Sequence, residues 1–223
     1  MRAMITAAAL LAATAGTAQA QDACSFRATP AVGSWAQYKT TRNGQDASMR
    51  LALVGQEKRD GKDALWFETV NESERGKMIS ELLVPSYPFE QGQVIEMIAK
   101  RGDQPAMKMS GSMMGMMRQG GQPGGQGRGG PGGPGGRGNP AMSWASECKS
   151  FTVVGSESVT VPAGNFTVTH LRNPADSNDV WVSREVPFGL IKAASSRMTL
   201  ELTGSGKDAR KSITETPQEM SGM

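Results

Sequence analysis

The strongest constraint on the fold is strict two-residue alternation along residues 155–206. Apolar residues recur at every second position, and Pro, Gly, Asn and Asp interrupt the alternation at short intervals. Successive side chains of a strand point to opposite faces of a sheet, so this pattern is typical of antiparallel strands joined by turns. The runs that carry it are residues 157–166, 180–183, 186–192 and 198–204.

The first half of the chain shows the same pattern. We predict strands over residues 48–54, 64–70 and 77–84, and a further strand over 94–100, where flanking glycines leave too little length for a stable helix. Residues 210–214 are predicted to form a last edge strand. The fold class is therefore mainly β, a curved antiparallel sheet arranged as a half-barrel-like meander with little helix.

Between residues 105 and 143 the composition changes abruptly. This segment has 14 glycines, 5 prolines and 7 methionines, and it has no Val, Ile, Leu or aromatic residue. Such a segment buries too little apolar surface to offset its ordering entropy, so we predict a long disordered Gly/Pro/Met-rich insert. It separates two halves of one β domain, residues 21–104 and 144–215, and residues 216–223 are predicted to be a loose tail.

The first twenty residues read as a secretory signal. Arg2 supplies the positive start, residues 5–15 are apolar, and residues 18–20 are a small-x-small cleavage site. We predict cleavage after Ala20 and export to the periplasm. A lipid anchor is not expected, because Gln21 occupies the position three before Cys24 where an apolar residue is needed. No later apolar run reaches the roughly 20 residues of a membrane span.

The only two cysteines, Cys24 and Cys148, are predicted to form a disulfide. Disulfides persist in oxidising compartments, and the spacing excludes the close Cys-x-x-Cys pair of a redox motif. The bond would tie the start of the exported chain to the beginning of its second half.

Net charge argues against nucleic acid as a partner. Outside the signal and the insert, the chain carries 19 basic and 21 acidic residues, a net charge of −2. The alkaline isoelectric point comes from the insert, whose four basic residues have no acidic neighbours within it. No basic face of the kind that binds nucleic acid is expected on the β domain.

Four motifs of the second half carry a resemblance. They are a Val-Pro-Ala-Gly-x-Phe turn at 161–166, Val-Trp-Val-Ser at 180–183, Val-Pro-Phe-Gly-Leu-Ile-Lys at 186–192, and a strand ending in Leu-x-Gly at 202–204. The chain resembles a group of exported bacterial proteins similar to the half-barrel superfamily of periplasmic lipoprotein carriers. The resemblance implies a curved sheet around an apolar cavity. It also implies a protein that binds or carries an acyl chain or a lipoprotein.

Five residues are candidates for an apolar-ligand face: Trp66, Phe166, Val168, His170 and Trp181. Each also has an ordinary interpretation. His170, the only histidine, is typical of a satisfied core or rim residue, and the tryptophans are typical of core filling. Both interpretations stay open at the level of sequence.

No enzyme motif is evident. One histidine and two paired cysteines are too few for a zinc site, and neither a Gly-x-Ser-x-Gly elbow nor a phosphate-binding loop is present. We predict a non-enzyme without a cofactor.

Two alternative functions rest on the insert. The first is an envelope interaction or structural protein, whose basic flexible arm attracts anionic polymers through salt-sensitive contacts. The second is soft-metal binding, since thioethers suit Cu(I), although a simple tether explains the same methionines. The candidate ligands are Met107, Met109, Met113, Met114, Met116 and Met117.

Overall fold

One sheet of twelve strands makes up most of the described chain. The structure is a computed structural model that describes residues 22–26, 29–89, 91–110, 145 and 147–219. Within these residues the protein is mainly β, an open and curved sheet that is antiparallel apart from one short pair. The predicted fold class is confirmed. The signal, and the part of the insert from residue 111 to 143, lie outside the described residues.

The strands in chain order are β1 (Trp35–Arg42), β2 (Gln45–Arg59), β3 (Lys62–Ser73), β4 (Gly76–Val84), β5 (Glu96–Arg101), β6 (Met107–Ser110), β7 (Thr152–Val161), β8 (Gly164–Asn173), β9 (Asn178–Val182), β10 (Leu190–Ala194), β11 (Met198–Gly206) and β12 (Gln218–Glu219). Across the sheet their order is β12-β6-β5-β4-β3-β2-β1-β11-β10-β9-β8-β7. Because β1 pairs with both β2 and β11, the two halves of the chain form one continuous sheet.

Two-residue turns explain why neighbouring strands of the first half pair in register. Asn43-Gly44 and Asp60-Gly61 all have positive φ, between 51° and 79°. Asn, Asp and Gly tolerate this left-handed conformation, and its twist matches the twist of the strands that it joins. The Asp60-Gly61 turn is therefore a tight hairpin between β2 and β3.

Bulges and a returning hairpin curve the sheet. The register shifts by one residue at four places, including Leu53/Gly55 in β2 and Val153/Gly155 in β7. Such bulges bend a strand and increase its twist. The hairpin of β7 and β8 turns back toward β11, where the Ala163 N–H donates to the Leu202 carbonyl at 3.0 Å.

The main core lies on one face of the sheet. Its centre holds four aromatic rings, Phe67, Tyr87, Phe89 and Phe188, with centroids 5.4–5.8 Å apart in stacked and edge-to-face pairs. Phe67 comes from β3, and the other three come from loops that fold over the sheet. Aromatic pairs at this spacing add to the apolar burial of the rings.

The opposite face carries a smaller apolar cluster. Trp66 directly precedes Phe67 on β3. Because successive side chains of a strand point to opposite faces, Trp66 points away from the main core. The second cluster also contains Ala64, Ile79, Leu83, Ile98, Ala106 and Ile213. Ile213 belongs to residues 207–219, which follow β11 and cross this face; we call them the C-terminal strap.

Three boundaries differ from the sequence-based predictions. Residues 210–214 do not form an edge strand, because the strap amides of Ser212 and Ile213 bond to side-chain carboxylates of the sheet. In the predicted loose tail, Gln218 and Glu219 pair with β6 as the short parallel strand β12. β6 itself begins inside the range predicted as insert, since Met107 and Lys108 pair with β5.

The predicted disulfide is confirmed. Cys24 and Cys148 are bonded, with their Cα atoms 5.0 Å apart and a sequence separation of 124. Cys148 is buried in the main core together with Ala23, so the bond fastens the start of the described chain against that core. In the described part of the chain, no helix is long and apolar enough to cross a membrane.

Candidate functional site

The five residues predicted to share an apolar-ligand face do not come together. Trp66 lies in the second cluster, where its indole N–H donates to Glu57 at 2.8 Å. The other four lie on two neighbouring strands of the second half: Phe166, Val168 and His170 on β8, and Trp181 on β9. Val168 is buried, and Phe166 and Trp181 pack against the main core as half-buried residues.

His170 and Trp181 belong to a row of side chains that crosses five strands. Directly paired residues place Lys39, Glu201, Lys192, Trp181 and His170 side by side on β1, β11, β10, β9 and β8. The His170 and Trp181 rings are stacked, with centroids 4.7 Å apart and planes inclined by 12°. Lys192 lies 5.7 Å from the Trp181 ring and 2.9 Å from Glu201. We call this the cross-strand row.

Two carboxylates flank the imidazole of His170. Nε2 lies 2.6 Å from Asp179, and Nδ1 lies 3.4 Å from Glu157. Glu157 also accepts the Trp181 indole N–H at 2.5 Å, and Asp179 accepts two N–H groups of Arg172. Burial raises the pKa of Asp179, but the hydrogen bonds from Arg172 and His170 outweigh burial, and its pKa lies below the ordinary value.

The geometry of the cross-strand row around His170 favours a role in stabilising the sheet over a role in binding a ligand. The two ring nitrogens of His170 face different carboxylates, so His170, Asp179 and Glu157 do not converge on one point. No group of three His, Cys, Asp or Glu side chains that could hold a metal ion occurs among the described residues. The Trp181 ring has His170 on the β8 side and Lys192 on the β10 side. The indole therefore offers no open stacking face for an apolar ligand between those two strands.

An open groove of about 310 Å³ lies near Val168, where the N-terminal turn at residues 23–26 meets β8 and β9. We call it the Phe26 groove. Its apolar members are the half-buried Phe26 and the almost fully buried Val168 and Val182, and its charged members are Arg184 and Glu185. Hydroxyl groups line the rest: Ser25, Ser156, Thr167, Thr169 and Ser183.

Arg184 organises the mouth of the groove. Its guanidinium donates to the Ser25 carbonyl at 2.5 Å and lies 5.8 Å from the centre of the Phe26 ring. The loop that carries it is held by the Ser183 N–H, which donates to the Gly189 carbonyl at 2.9 Å. One cation thus stands beside the Phe26 ring and a set of hydroxyls.

Sequence reasoning found only Val168 among the residues of this groove. Phe26 lies next to Cys24, so the predicted disulfide indicated that this segment is tied down. It did not indicate which strands the segment covers, because that depends on the path of the chain after the crosslink. Arg184 and Glu185 are polar loop positions with no distinguishing pattern.

The predicted methionine set is divided. Met107 and Met109 lie on β6, and Met109 packs against the main core. Met109 is directly opposite Met97 of β5, a methionine that the sequence analysis did not single out. Met113, Met114, Met116 and Met117 lie outside the described residues.

Comparison with known proteins gives distant similarities of structure alone. No family model matches the chain, and no curated protein matches it. One similar solved structure is a protein inferred to be exported, with a YmcC-like fold, from Bacteroides fragilis. It has 9% identity and a TM-score of 0.35, and the match covers 82% of this chain and 99% of that one.

A second similar structure is a protein inferred to be a lipoprotein from Parabacteroides distasonis. It has 11% identity and a TM-score of 0.34, with 81% of this chain and 98% of that chain covered. At these scores neither similarity carries an argument about function. Membership in the lipoprotein-carrier superfamily and export to the periplasm therefore stay predictions.

Proposed function

We propose that this protein is an exported, non-enzymatic binding protein that holds the apolar part of a small amphiphile in the Phe26 groove. The observation that carries the proposal is the position of the Arg184 cation beside the half-buried Phe26 ring in one open groove. Ligand pockets have volumes that begin near 300 Å³ and use a few placed polar groups to orient the ligand.

The groove, rather than the centre of the sheet, is the place for such a ligand. The resemblance to lipoprotein carriers implies an acyl-chain cavity inside the curved sheet. Here the rings of Phe67, Tyr87, Phe89 and Phe188 occupy the centre of the main core. A short acyl chain packed against Phe26 leaves its anionic head near Arg184. Each methylene group that leaves water contributes about 0.8 kcal/mol.

A role in binding also fits the chemistry of the only histidine. His170 is held between Asp179 and Glu157 in the cross-strand row, and it is not among the residues that line the groove. The groove itself supplies hydroxyls, a guanidinium and a carboxylate. The ring nitrogens of His170 face Glu157 and Asp179 rather than these hydroxyls, so the histidine is not placed as their general base.

The test is displacement of a fluorescent fatty-acid analogue from the purified protein, with native mass spectrometry to detect ligand retained from the periplasm. Thr167→Trp fills the groove from an exposed position and should weaken binding at least about tenfold, which corresponds to about 1.4 kcal/mol. Thr152→Trp is the matched control, because Thr152 is an exposed β-strand residue outside the lining. Equal binding by both variants, or no binding by wild type, would contradict the proposal.

A second candidate function is soft-metal binding, and one observation favours it. Met97 and Met109 are direct cross-strand partners, and Met107 lies two residues from Met109 on the same face of β6. Three thioethers at one edge of the sheet are suitable ligands for Cu(I) or Ag(I). The sheet would then pre-order part of the set that the sequence placed in the insert.

Competition titration of Ag(I) against a soft chelator separates the two groups of methionines. One variant changes Met97, Met107 and Met109 to leucine, and the other changes Met113, Met114, Met116 and Met117. Leucine conserves volume, so both variants should keep the fold. We expect the first variant to lose binding. Loss in the second alone, or in neither, would remove the sheet edge as a metal site.

A further inference from the structure

The C-terminal strap is bound to the sheet as an extended peptide would be. After β11 it has no regular secondary structure until β12, and it crosses the face of β2–β6 opposite the main core. Ile213 is the buried anchor, packed in the second cluster with Trp66, Ile79 and Leu83. Lys211 lies over the Trp66 ring, 3.9 Å from its centroid. One aliphatic and one cationic side chain therefore enter this face.

Carboxylates of the sheet hold the backbone of the strap. Glu68 accepts the Ser212 N–H at 2.7 Å and the Ser212 hydroxyl at 2.9 Å, and Glu81 accepts the Ile213 N–H at 3.3 Å. Farther along, Glu215 of the strap accepts the Ala106 N–H at 2.9 Å, and the Gln218 N–H donates to the Ala106 carbonyl at 2.8 Å. The strap backbone is therefore held by side-chain carboxylates on the sheet face at Ser212 and Ile213, and by a main-chain bond to Ala106 at Gln218.

Burying the carboxylates of Glu68 and Glu81 to bind a permanently attached segment is unfavourable in free energy. Glu68 and Glu81 are directly opposite each other on β3 and β4, and both are almost fully buried. Like charges opposite each other in a sheet are destabilising, and buried ion pairs are often no better than apolar residues of the same size. Arg50 lies 3.4 Å from Glu68 and Lys211 lies 3.5 Å from Glu81, so one of the two compensating cations belongs to the strap itself.

We propose that the strap is an exchangeable element, and that the face it covers also accepts the strap of a second copy of this chain. A second copy supplies every group that the structure places here: the Ser212 and Ile213 amides, the Lys211 cation and the Ile213 side chain. Exchange keeps all of these contacts, so it is opposed mainly by the lost freedom of two molecules becoming one. The exchanged dimer therefore forms at high protein concentration. This proposal is independent of ligand binding in the Phe26 groove.

The first test is the molar mass of the protein after refolding from denaturant with its disulfide intact. Light scattering after size exclusion should show monomer from dilute refolding and dimer from concentrated refolding. Ile213→Asp should abolish the dimer, because a carboxylate does not enter the second cluster. Thr214→Asp is the matched control, since Thr214 is exposed and the added charge is the same; this variant should dimerise like wild type. Monomer at every concentration, or a dimer that survives Ile213→Asp, would overturn the proposal.

A second test uses a labelled synthetic peptide of residues 207–219 added to the Ile213→Asp protein, whose own strap is released. We expect this peptide to bind at least about tenfold more tightly than the same peptide with aspartate in place of Ile213. Equal affinities would overturn the proposal.

If the Ile213→Asp variant does not fold, hydrogen exchange of the wild type tests whether the strap detaches. The Ser212 and Ile213 amides should exchange through a local opening well below the global free energy of unfolding. Exchange by global unfolding alone would show that the strap does not detach.

Discussion

The two faces of this sheet are stabilised by different interactions. On the main-core face, apolar side chains from ten of the twelve strands and four aromatic rings form one continuous cluster, and a disulfide fastens the N-terminal turn to it. On the opposite face, the C-terminal strap covers a small apolar cluster around Trp66 and Ile213. Two buried carboxylates, Glu68 and Glu81, hold that segment through its backbone.

The difference indicates where the molecule is cooperative and where it can open locally. Apolar packing on the main-core face links strands that are far apart in sequence, so loss of one contact there destabilises the whole sheet. The strap is contiguous in sequence and is anchored largely by hydrogen bonds that water can replace. Segments with few apolar contacts open at lower free energy than the core. The following changes test this contrast, in order of expected effect.

Loss of the crosslink should have the largest effect. Cys24→Ser removes a bond that closes a loop of more than 100 residues, which is worth about 4–5 kcal/mol on the chain-entropy model. The free energy of unfolding from urea titration should fall by this order. The double variant Cys24→Ser/Cys148→Ser is the control and should be no less stable than the single one. Free thiols in the native wild type, or an unchanged stability, would refute the role of the bond.

Truncation at the centre of the main core should rank next. Phe67 is fully buried and contacts three other aromatic rings, so Phe67→Ala should cost about 3–5 kcal/mol. The loss should appear in every probe of unfolding at once. Ser158→Ala, at an exposed position of β7, should change stability by less than about 0.5 kcal/mol. A local loss of hydrogen-exchange protection without a global loss would contradict the cooperative view of this face.

Truncation of the strap anchor should cost less. Ile213→Ala removes a buried aliphatic group, for which about 2 kcal/mol is the lower end of the usual range. We expect the lower end because the strap covers only one small cluster. The effect should concentrate on the protection of the strap amides, while Thr214→Ala should leave them unchanged. Equal loss of protection on β1 and β3 would mean that the two faces unfold as one unit.

The pH dependence of the strap face should be the smallest effect. Burial raises the pKa of Glu81, so the folded state favours the protonated carboxyl more than the unfolded state does. A raised folded pKa adds stability as pH falls from neutrality toward the ordinary carboxyl range. Relative to Glu81→Gln, the wild type should gain stability over this interval, as measured by urea midpoints at several pH values. A constant difference would contradict this assignment.

At still lower pH the sign reverses for another group of the strap. The hydrogen bonds from Lys100 and from the Ala106 amide lower the pKa of Glu215. A lowered folded pKa gives stability that is present above the ordinary carboxyl value and is lost as pH falls through the folded pKa. The gain from Glu81 should therefore be followed, in stronger acid, by a loss of stability, and Glu215→Gln should remove the part of that loss that this carboxylate contributes.

Local patterns predicted much of the fold and little of the site. The strands predicted over 48–54, 64–70 and 198–204 contain the fully buried Leu51, Phe67 and Leu202, and such strands were predictable because alternation depends on near neighbours in the sequence. The cross-strand row was not predictable, since it depends on which strands pair and in which register. His170 and Trp181 were singled out separately, and only the pairing of β8 with β9 stacks them.

The sequence by itself determined the β class, the Cys24–Cys148 bond and the alternation that separates Phe67 from Trp66, because each of these follows from residue type and spacing. The tertiary structure alone decided that Trp66 faces the strap, that Phe26 covers β8 and β9, and that Glu68 and Glu81 receive the strap amides. These relations join residues more than 100 positions apart. Each carboxylate lies in an ordinary strand pattern, and its partner is set by the path of a segment with no pattern of its own.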